Sequence, residues 1–312
     1  MRNSTQFIVR NTQHALPGAQ WRRKIFGARA IKFVRLTAYC TLLTAFCALT
    51  SCGDKPVEVV KNDTVKENPL MKNLSETERE ELRKIIAGIP IPFEIMNQVS
   101  GSGLPYKKEL LNPDANVSQY NTAEGQALNI GVYGADMAYM IAFERLGESG
   151  AYLRSVRQLA DAVVIPTVFD EASMQQYQMN NDKHDSVQQM MYTSYTKIDS
   201  TLQSNERFGL AALVVTGGWV ESLYLTTQQL GNAKRTDENK LLYDMLDEQQ
   251  KHTDDIISML GMFPEDSTFI SLHADLTELK KLSSPAAEYT PEELEKVTAQ
   301  LAGIRAKLVA FD

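Results

Sequence analysis

Apolar residues recur every three or four positions from Leu74 to the end of the chain, and this period predicts a succession of helices. No stretch of the sequence alternates apolar and polar residues over the length of a strand. Cap residues mark the helix starts, with capping boxes at Ser75-x-x-Glu78 and Thr290-x-x-Glu293. Gly or Pro marks the ends, as at Pro90, Gly147 and Gly231. The predicted helices run from Ser75 to about Ala87, Thr122 to Leu146, Ser149 to about Val164, Asp185 to Leu202, Asn205 to Leu230, over 237–251, 253–260 and 266–282, and from Thr290 to Leu308.

Two of these helices, at 127–143 and 210–224, are apolar on nearly every side, which predicts central helices surrounded by others. Each also contains glycines, which cost about 1 kcal/mol apiece relative to Ala inside a helix. Two interpretations account for the cost: a close crossing of the two helices, or a ligand groove lined by exposed backbone. The glycines are Gly131, Gly134, Gly217 and Gly218.

These patterns predict an all-α fold with the two Gly-containing helices at its centre. The two helices are loosely alike when Gly134-Ala135 is aligned with Gly217-Gly218, which suggests an array of helical hairpins. The spacing is too long for a tetratricopeptide unit. A single multi-helix bundle is equally compatible with the sequence.

The N-terminal region has a different character. Basic residues such as Arg22, Lys24 and Arg35 precede an apolar stretch from Leu36 to Leu49, and the run Leu49-Thr50-Ser51-Cys52 resembles a bacterial lipobox. The apolar stretch is shorter than the roughly 20 residues of a spanning helix. A basic segment, a short apolar core and small residues before a cleavage point predict a signal peptide over 1–51. Its length before the core is unusual, and a misassigned start codon would explain that length.

Lipid attachment at Cys52 follows from the resemblance, with a flexible tether over 52–72 and one helical domain over 73–312. The three cysteines of the chain are Cys40, Cys47 and Cys52, so the mature domain would have no disulfide. Because each buried methylene contributes about 0.8 kcal/mol, the implied diacylglyceryl group would hold the protein firmly at a membrane. We expect an outer-membrane lipoprotein, with the periplasmic or surface face left open.

The charge distribution bears on the partners of the mature protein. Eight of the 32 Lys and Arg residues precede Cys52, and none of the 39 Asp and Glu residues does, so the mature chain has a net charge of −15. Nucleic acids are recognised through basic patches, and no cluster of Lys or Arg remains after Cys52. We therefore expect no nucleic-acid partner and no direct binding of the domain to anionic headgroups.

Several motifs resemble a family of Bacteroidetes lipoproteins of unassigned function. They are the segment 127–136, the Asn205-Glu206-Arg207 run with 211–214 and 217–221 after it, the proline-rich segment 89–94 and Leu111-Asn112-Pro113. The resemblance covers roughly residues 91 to 231. It implies an all-helical envelope protein and brings no activity or catalytic residue.

Two acidic residues lie within the two apolar helices. A buried carboxylate is costly unless it is paired or hydrogen-bonded, so both residues need partners. One interpretation is a ligand pocket, lined by the two acids and nearby aromatic residues, in which burial raises the pKa values of the carboxyl groups. The other is a structural role, in which each acid caps a neighbouring helix or pairs with Arg145, Arg154 or Arg207. The candidate pocket residues are Tyr133, Asp136, Tyr139, Trp219 and Glu221.

Other chemistry finds little support in the sequence. The three histidines of the mature chain, His184, His252 and His273, lack the spacing of a zinc helix, and no Gly-rich phosphate loop occurs. We therefore expect neither a metal nor a cofactor.

Three functional hypotheses follow from the sequence. The first is a non-catalytic scaffold or accessory protein that docks another envelope protein. The second is a small-molecule or lipid-binding protein that uses space near Asp136, Trp219 and Glu221. The third is a hydrolase with a carboxylate pair, which requires Asp136 and Glu221 to lie close together and face solvent.

Overall fold

The computed structural model describes residues 74–163, 171–180, 182–204, 207–231, 233–282 and 289–310. These residues form α-helices and short 3-10 segments, and no β-strand occurs among them. The predicted all-α class is therefore confirmed. The predicted signal peptide, Cys52 and the tether lie outside the described residues.

Ten helices make up the described part of the chain, and two 3-10 segments, Lys108–Leu110 and Asp114–Gln119, connect α2 to α3. The helices are α1 (Glu76–Gly88), α2 (Pro92–Gly101), α3 (Ala123–Ala142), α4 (Leu146–Ala162), α5 (Glu171–Asn180), α6 (His184–Ser204), α7 (Phe208–Leu230), α8 (Lys240–Gly261), α9 (Ser267–Lys281) and α10 (Pro291–Leu308).

The two apolar helices of the sequence, α3 and α7, pack directly on each other and are buried along almost their whole length. Glycine allows this approach. A side-chain methyl group at Gly131 would collide with the carbonyl oxygen of Val214, and one at Gly217 with that of Leu128. At Gly218 it would lie 3.1 Å from Pro92 Cγ. The predicted close crossing is confirmed at these three glycines.

Gly134 does not take part in the crossing. A methyl group there would lie 3.8 Å from the ring of Tyr195, which is an ordinary contact distance. The structure therefore gives no steric reason for glycine at this position.

The remaining helices surround the central pair. Helices α2, α4 and α6 pack against α3, and α1, α2, α6, α8 and α10 pack against α7. Helix α9 packs against α8 and α10. Their inward apolar side chains join one hydrophobic core, which explains why α3 and α7 can be apolar on every side.

Helix α7 is long and apolar enough to span a bilayer, and among the described helices it alone meets that criterion. However, 94% of its most apolar stretch is buried inside the protein. Its composition is accounted for by its place in the core.

The predicted helix from Thr122 to Leu146 ends earlier than expected. It stops at Ala142, where Glu144 adopts a left-handed conformation with φ 60°. The Glu144 N–H donates to Ile141 O at 2.9 Å and the Arg145 N–H to Met140 O at 2.8 Å, the two bonds of a Schellman motif. The sequence suggested Gly147 as the stop, but the left-handed residue is a glutamate, and α4 already begins at Leu146.

The two helices predicted over 237–251 and 253–260 form one helix. The apolar period continues through the expected break, since Leu246, Gln249, Thr253 and Ile256 are all buried on α8. The proline-rich run after α1 ends that helix at Gly88, as predicted. The sequence did not predict α2, which begins with Pro92 in its first turn.

Candidate functional site

The crossing of α3 and α7 places two acidic side chains next to each other. Asp136 lies five residues after Gly131 on α3, and Glu221 lies four residues after Gly217 on α7. Both side chains are 0% exposed. The structure thus brings together the two acids that the sequence singled out, inside the core and out of contact with solvent.

The surroundings of Asp136 favour the neutral form of its carboxyl group. Burial raises its pKa well above the usual range, and the nearby Glu221 carboxylate raises it further. Its Oδ2 accepts the backbone N–H of Asn112 at 3.1 Å, while Oδ1 meets no N–H or O–H donor. The two carboxyl groups are close enough to affect each other's pKa, and a proton on Asp136 would allow it to donate a hydrogen bond to Glu221.

Glu221 is the charged member of the pair, because Arg305 of α10 binds it. Arg305 donates through Nε to Oε2 at 3.1 Å and through a terminal nitrogen to Oε1 at 3.3 Å. Burial raises the pKa of Glu221, and the guanidinium group opposes that shift. The guanidinium carbon also lies 5.0 Å from the ring centre of Tyr224. We call Asp136, Glu221 and Arg305 the core triad, and it carries no net charge.

The segment between α2 and α3 covers the triad. Asn112 donates through its side-chain amide to Tyr120 Oη at 2.9 Å and to Asn129 Oδ1 at 3.3 Å. Asn129 in turn donates to the carbonyl oxygen of Leu308 at the end of α10, at 2.8 Å. These side chains tie the segment to α3 and α10, so the buried polar groups around the triad satisfy one another.

Tyr133 belongs to the same covering network. Its hydroxyl donates to the carbonyl oxygen of Pro113 at 2.9 Å, and its ring meets Tyr120 and Tyr152 edge-on. Burial raises its pKa. The side chain therefore anchors the segment over α3.

Tyr139 lies one helix turn beyond Asp136, and its hydroxyl contacts groups outside the triad. Its hydroxyl accepts the backbone N–H of Lys107 at 2.9 Å and the side-chain amide of Gln229. Its ring stacks on Tyr106 with the centres 5.3 Å apart. These contacts fasten the segment after α2 to α3 and α7.

Trp219 is directed away from the triad. It is 1% exposed, and its indole N–H donates to Gln249 Oε1 of α8 at 3.1 Å. Trp219 and Glu221 are two residues apart on one helix, about 200° around its axis. Consequently the structure does not gather Trp219 with Asp136 and Glu221 around a common space.

Sequence reasoning missed the actual partners of the two acids. Of the arginines it considered, Arg145 stacks over Tyr106 and Arg207 donates to the carbonyl oxygen of Val163. The partner is Arg305, which the sequence places on an otherwise ordinary amphipathic helix. Its pairing depends on how α10 packs against α7, and no local signal in the sequence marks it.

The geometry bears on the chemistry that the site can support. A hydrolase using Asp136 and Glu221 needs both carboxyl groups to reach water and substrate, and both are fully buried. Among the described residues, no group of three or more His, Cys, Asp or Glu side chains is arranged to hold a metal ion.

Comparisons with protein-family models, with curated proteins and with solved structures find no match to this chain.

Proposed function

We propose that this protein is an envelope lipoprotein whose helical domain acts as a non-catalytic scaffold or accessory protein for another envelope component. The observation that carries the proposal is the closed core triad. Asp136, Glu221 and Arg305 are the ionisable side chains grouped in the core, and their contacts are with one another and with neighbouring protein groups. Their role is then to join α3, α7 and α10.

The anchor in this proposal comes from the sequence. The lipobox-like run ending at Cys52 supports acylation of that cysteine, and the polar stretch after it supports a tether that separates the domain from the membrane. The proposed location is the outer membrane, on its periplasmic or surface face.

Exposed apolar side chains offer contacts for a protein partner. Ile270 of α9 is 53% exposed, and Met179 and Leu241 also face solvent. Single exposed apolar residues are common on proteins, so the proposal does not depend on them. They are instead suitable positions for variants that weaken a protein contact.

The first experiment tests the anchor. We expect metabolic labelling with palmitate to mark the wild-type protein and to leave the Cys52→Ala variant unlabelled. Cys47→Ala is the matched control, since this cysteine lies in the predicted signal peptide. A labelled Cys52→Ala variant, or an unlabelled wild-type protein, would refute the proposed anchor.

The second experiment tests the scaffold. The lipidated protein is isolated from its native envelope in mild detergent, and the copurifying proteins are quantified. We expect a protein partner at near-equal amount that is reduced in an Ile270→Asp, Leu241→Asp variant. Isolation of the protein by itself after chemical crosslinking in intact cells would contradict the scaffold.

The alternative is a small-molecule or lipid-binding lipoprotein with a pocket near Asp136, Trp219 and Glu221. We rank it second because these three side chains are buried and directed to different neighbours. Copurification of a bound small molecule in place of a protein would favour it.

A further inference from the structure

A cleft with a volume of about 360 Å³ lies between the α1–α2 junction and α6. One wall is a face of α6 formed by Tyr192, Tyr195, Thr196 and Asp199, which follow the three- and four-residue spacing of a single helix face. The opposite wall is the turn between the two helices, where Pro90 interrupts the chain. The core triad does not line this cleft.

The floor of the cleft is apolar. Ile86, Ile89 and Val215 contribute to it, and each is buried against the core. A ligand with an apolar body would therefore remove hydrocarbon surface from water at both partners.

Two carboxylates line the cleft without a basic partner. Asp199 is half-buried, and both of its oxygens accept the amide of Gln203, at 2.8 and 2.7 Å. Burial raises its pKa. Glu94 lies at the rim, and neither acid forms an ion pair with a described residue. No Lys or Arg is among the described residues that line the cleft.

The end of α1 adds to the negative potential. Ile86, Ala87 and Gly88 of its last turn line the cleft, and the final carbonyl groups of a helix carry a partial negative charge. The last turn contains no basic residue, and Pro90 has no N–H to donate to these carbonyls. The first turn of α2 also borders the cleft and carries a partial positive charge, which Glu94 in that turn offsets. A cation in the cleft would therefore meet the two carboxylates and the C-terminal end of α1.

Tyr195 supplies a further recognition group. Its hydroxyl finds no hydrogen-bond partner among the described residues, and it would lie 3.2 Å from a methyl group at Gly218. The side chain is thus positioned against α7 with a free acceptor oxygen. Tyr192 provides a second aromatic ring at the rim, and aromatic faces attract organic cations.

We infer that this cleft binds a small organic cation, with an ammonium group at Asp199, Glu94 and the end of α1 and an apolar body over Ile86, Ile89 and Val215. This site is independent of the scaffold function proposed above. A small cation can enter the cleft from solvent, whereas the buried triad has no space for it.

Calorimetric titration of the full-length protein in a non-ionic detergent, which carries no ammonium group, with a detergent blank, tests the inference. The probes are phenethylamine, phenethyl alcohol and hydrocinnamate, which share a ring and a short chain and differ in charge. Because a charge-assisted hydrogen bond is stronger than one between neutral groups, the amine should bind about tenfold more tightly than the alcohol or better. The anion should bind most weakly.

Variants locate the site. Asp199→Asn and Glu94→Gln remove one charge each and should weaken amine binding about tenfold or more, with little effect on the alcohol. Glu81→Gln is the matched control, because Glu81 is exposed on α1 and lies outside the cleft, and it should bind like the wild type. Glu94 is exposed in the first turn of α2, so replacing it should leave the fold intact. Its variant therefore remains informative if Asp199→Asn fails to fold.

Three results would overturn the inference. They are equal affinity for the three probes, no binding of the amine at millimolar concentration, and unchanged amine affinity in a folded Glu94→Gln or Asp199→Asn variant. None of them would affect the copurification of a protein partner. The proposed cation site and the proposed scaffold function are therefore tested separately.

Discussion

Arg305 of α10 and Glu221 of α7 form a two-point ion pair inside the core, although 84 positions separate them in the sequence. The Glu221 side chain is fully buried, and the Arg305 side chain is largely so. Burial and the Glu221 charge both raise the pKa of the third member, Asp136, and so favour its neutral form. The stability of α3, α7 and α10 as a group is therefore linked to this cluster.

Arg305→Met should destabilise the protein by about 3–5 kcal/mol, because it leaves the Glu221 charge buried and unpaired. Urea unfolding followed by circular dichroism measures the change. Lys307→Met is the matched control on the same helix, since Lys307 pairs with Asp275 at the surface and should cost less than about 1 kcal/mol. Equal losses in the two variants would contradict a structural role for the triad.

Asp136→Asn should reproduce the neutral carboxyl group and leave the protein as stable as the wild type near pH 7, or more so. In the wild type, only the folded state holds the Asp136 proton between the ordinary pKa of 3.8 and the raised folded-state pKa. The free energy of unfolding should fall as pH rises through that window, by about 1.4 kcal/mol per pH unit.

The measurement is the difference in unfolding free energy between the wild type and Asp136→Asn across this pH range. The difference cancels carboxyl groups with lowered pKa values, such as Asp244 and Glu293, which act in the opposite direction. A difference that does not vary with pH would show that Asp136 is not the neutral member of the pair.

Gly131→Ala should destabilise the crossing of α3 and α7 by about 3 kcal/mol or more, because the new methyl group meets the backbone of Val214. Gly134→Ala on the same helix meets only the flexible edge of Tyr195 and should raise stability by up to about 1 kcal/mol. Thermal unfolding distinguishes the two. Similar melting temperatures would mean that the helices do not cross at Gly131.

Trp219→Phe should cost about 1–3 kcal/mol, because it leaves the Gln249 side chain without its hydrogen bond in the core. Adding Gln249→Met should recover part of that loss, since both polar partners are then absent. A double-mutant cycle from urea unfolding measures the coupling. Strictly additive losses would rule out an interaction between the two side chains.

Local signals in the sequence predicted much of the helical structure. The capping boxes Ser75 with Glu78 and Thr290 with Glu293 begin α1 and α10, as expected from their spacing. Gly231, with φ 55°, ends α7 as predicted. The end of α3 was wrong because Glu144 takes the left-handed conformation that the pattern assigned to a glycine.

The sequence by itself determined the all-α class, the two central helices and the two acids that had to find partners in them, because apolar period and burial cost are properties of local residue order. Only the tertiary structure decided that Arg305 pairs with Glu221, that Trp219 is directed toward Gln249, and that Asp199 faces the end of α1 across a cleft. Such pairings depend on the angles and distances at which distant helices pack, and no short stretch of sequence contains that information.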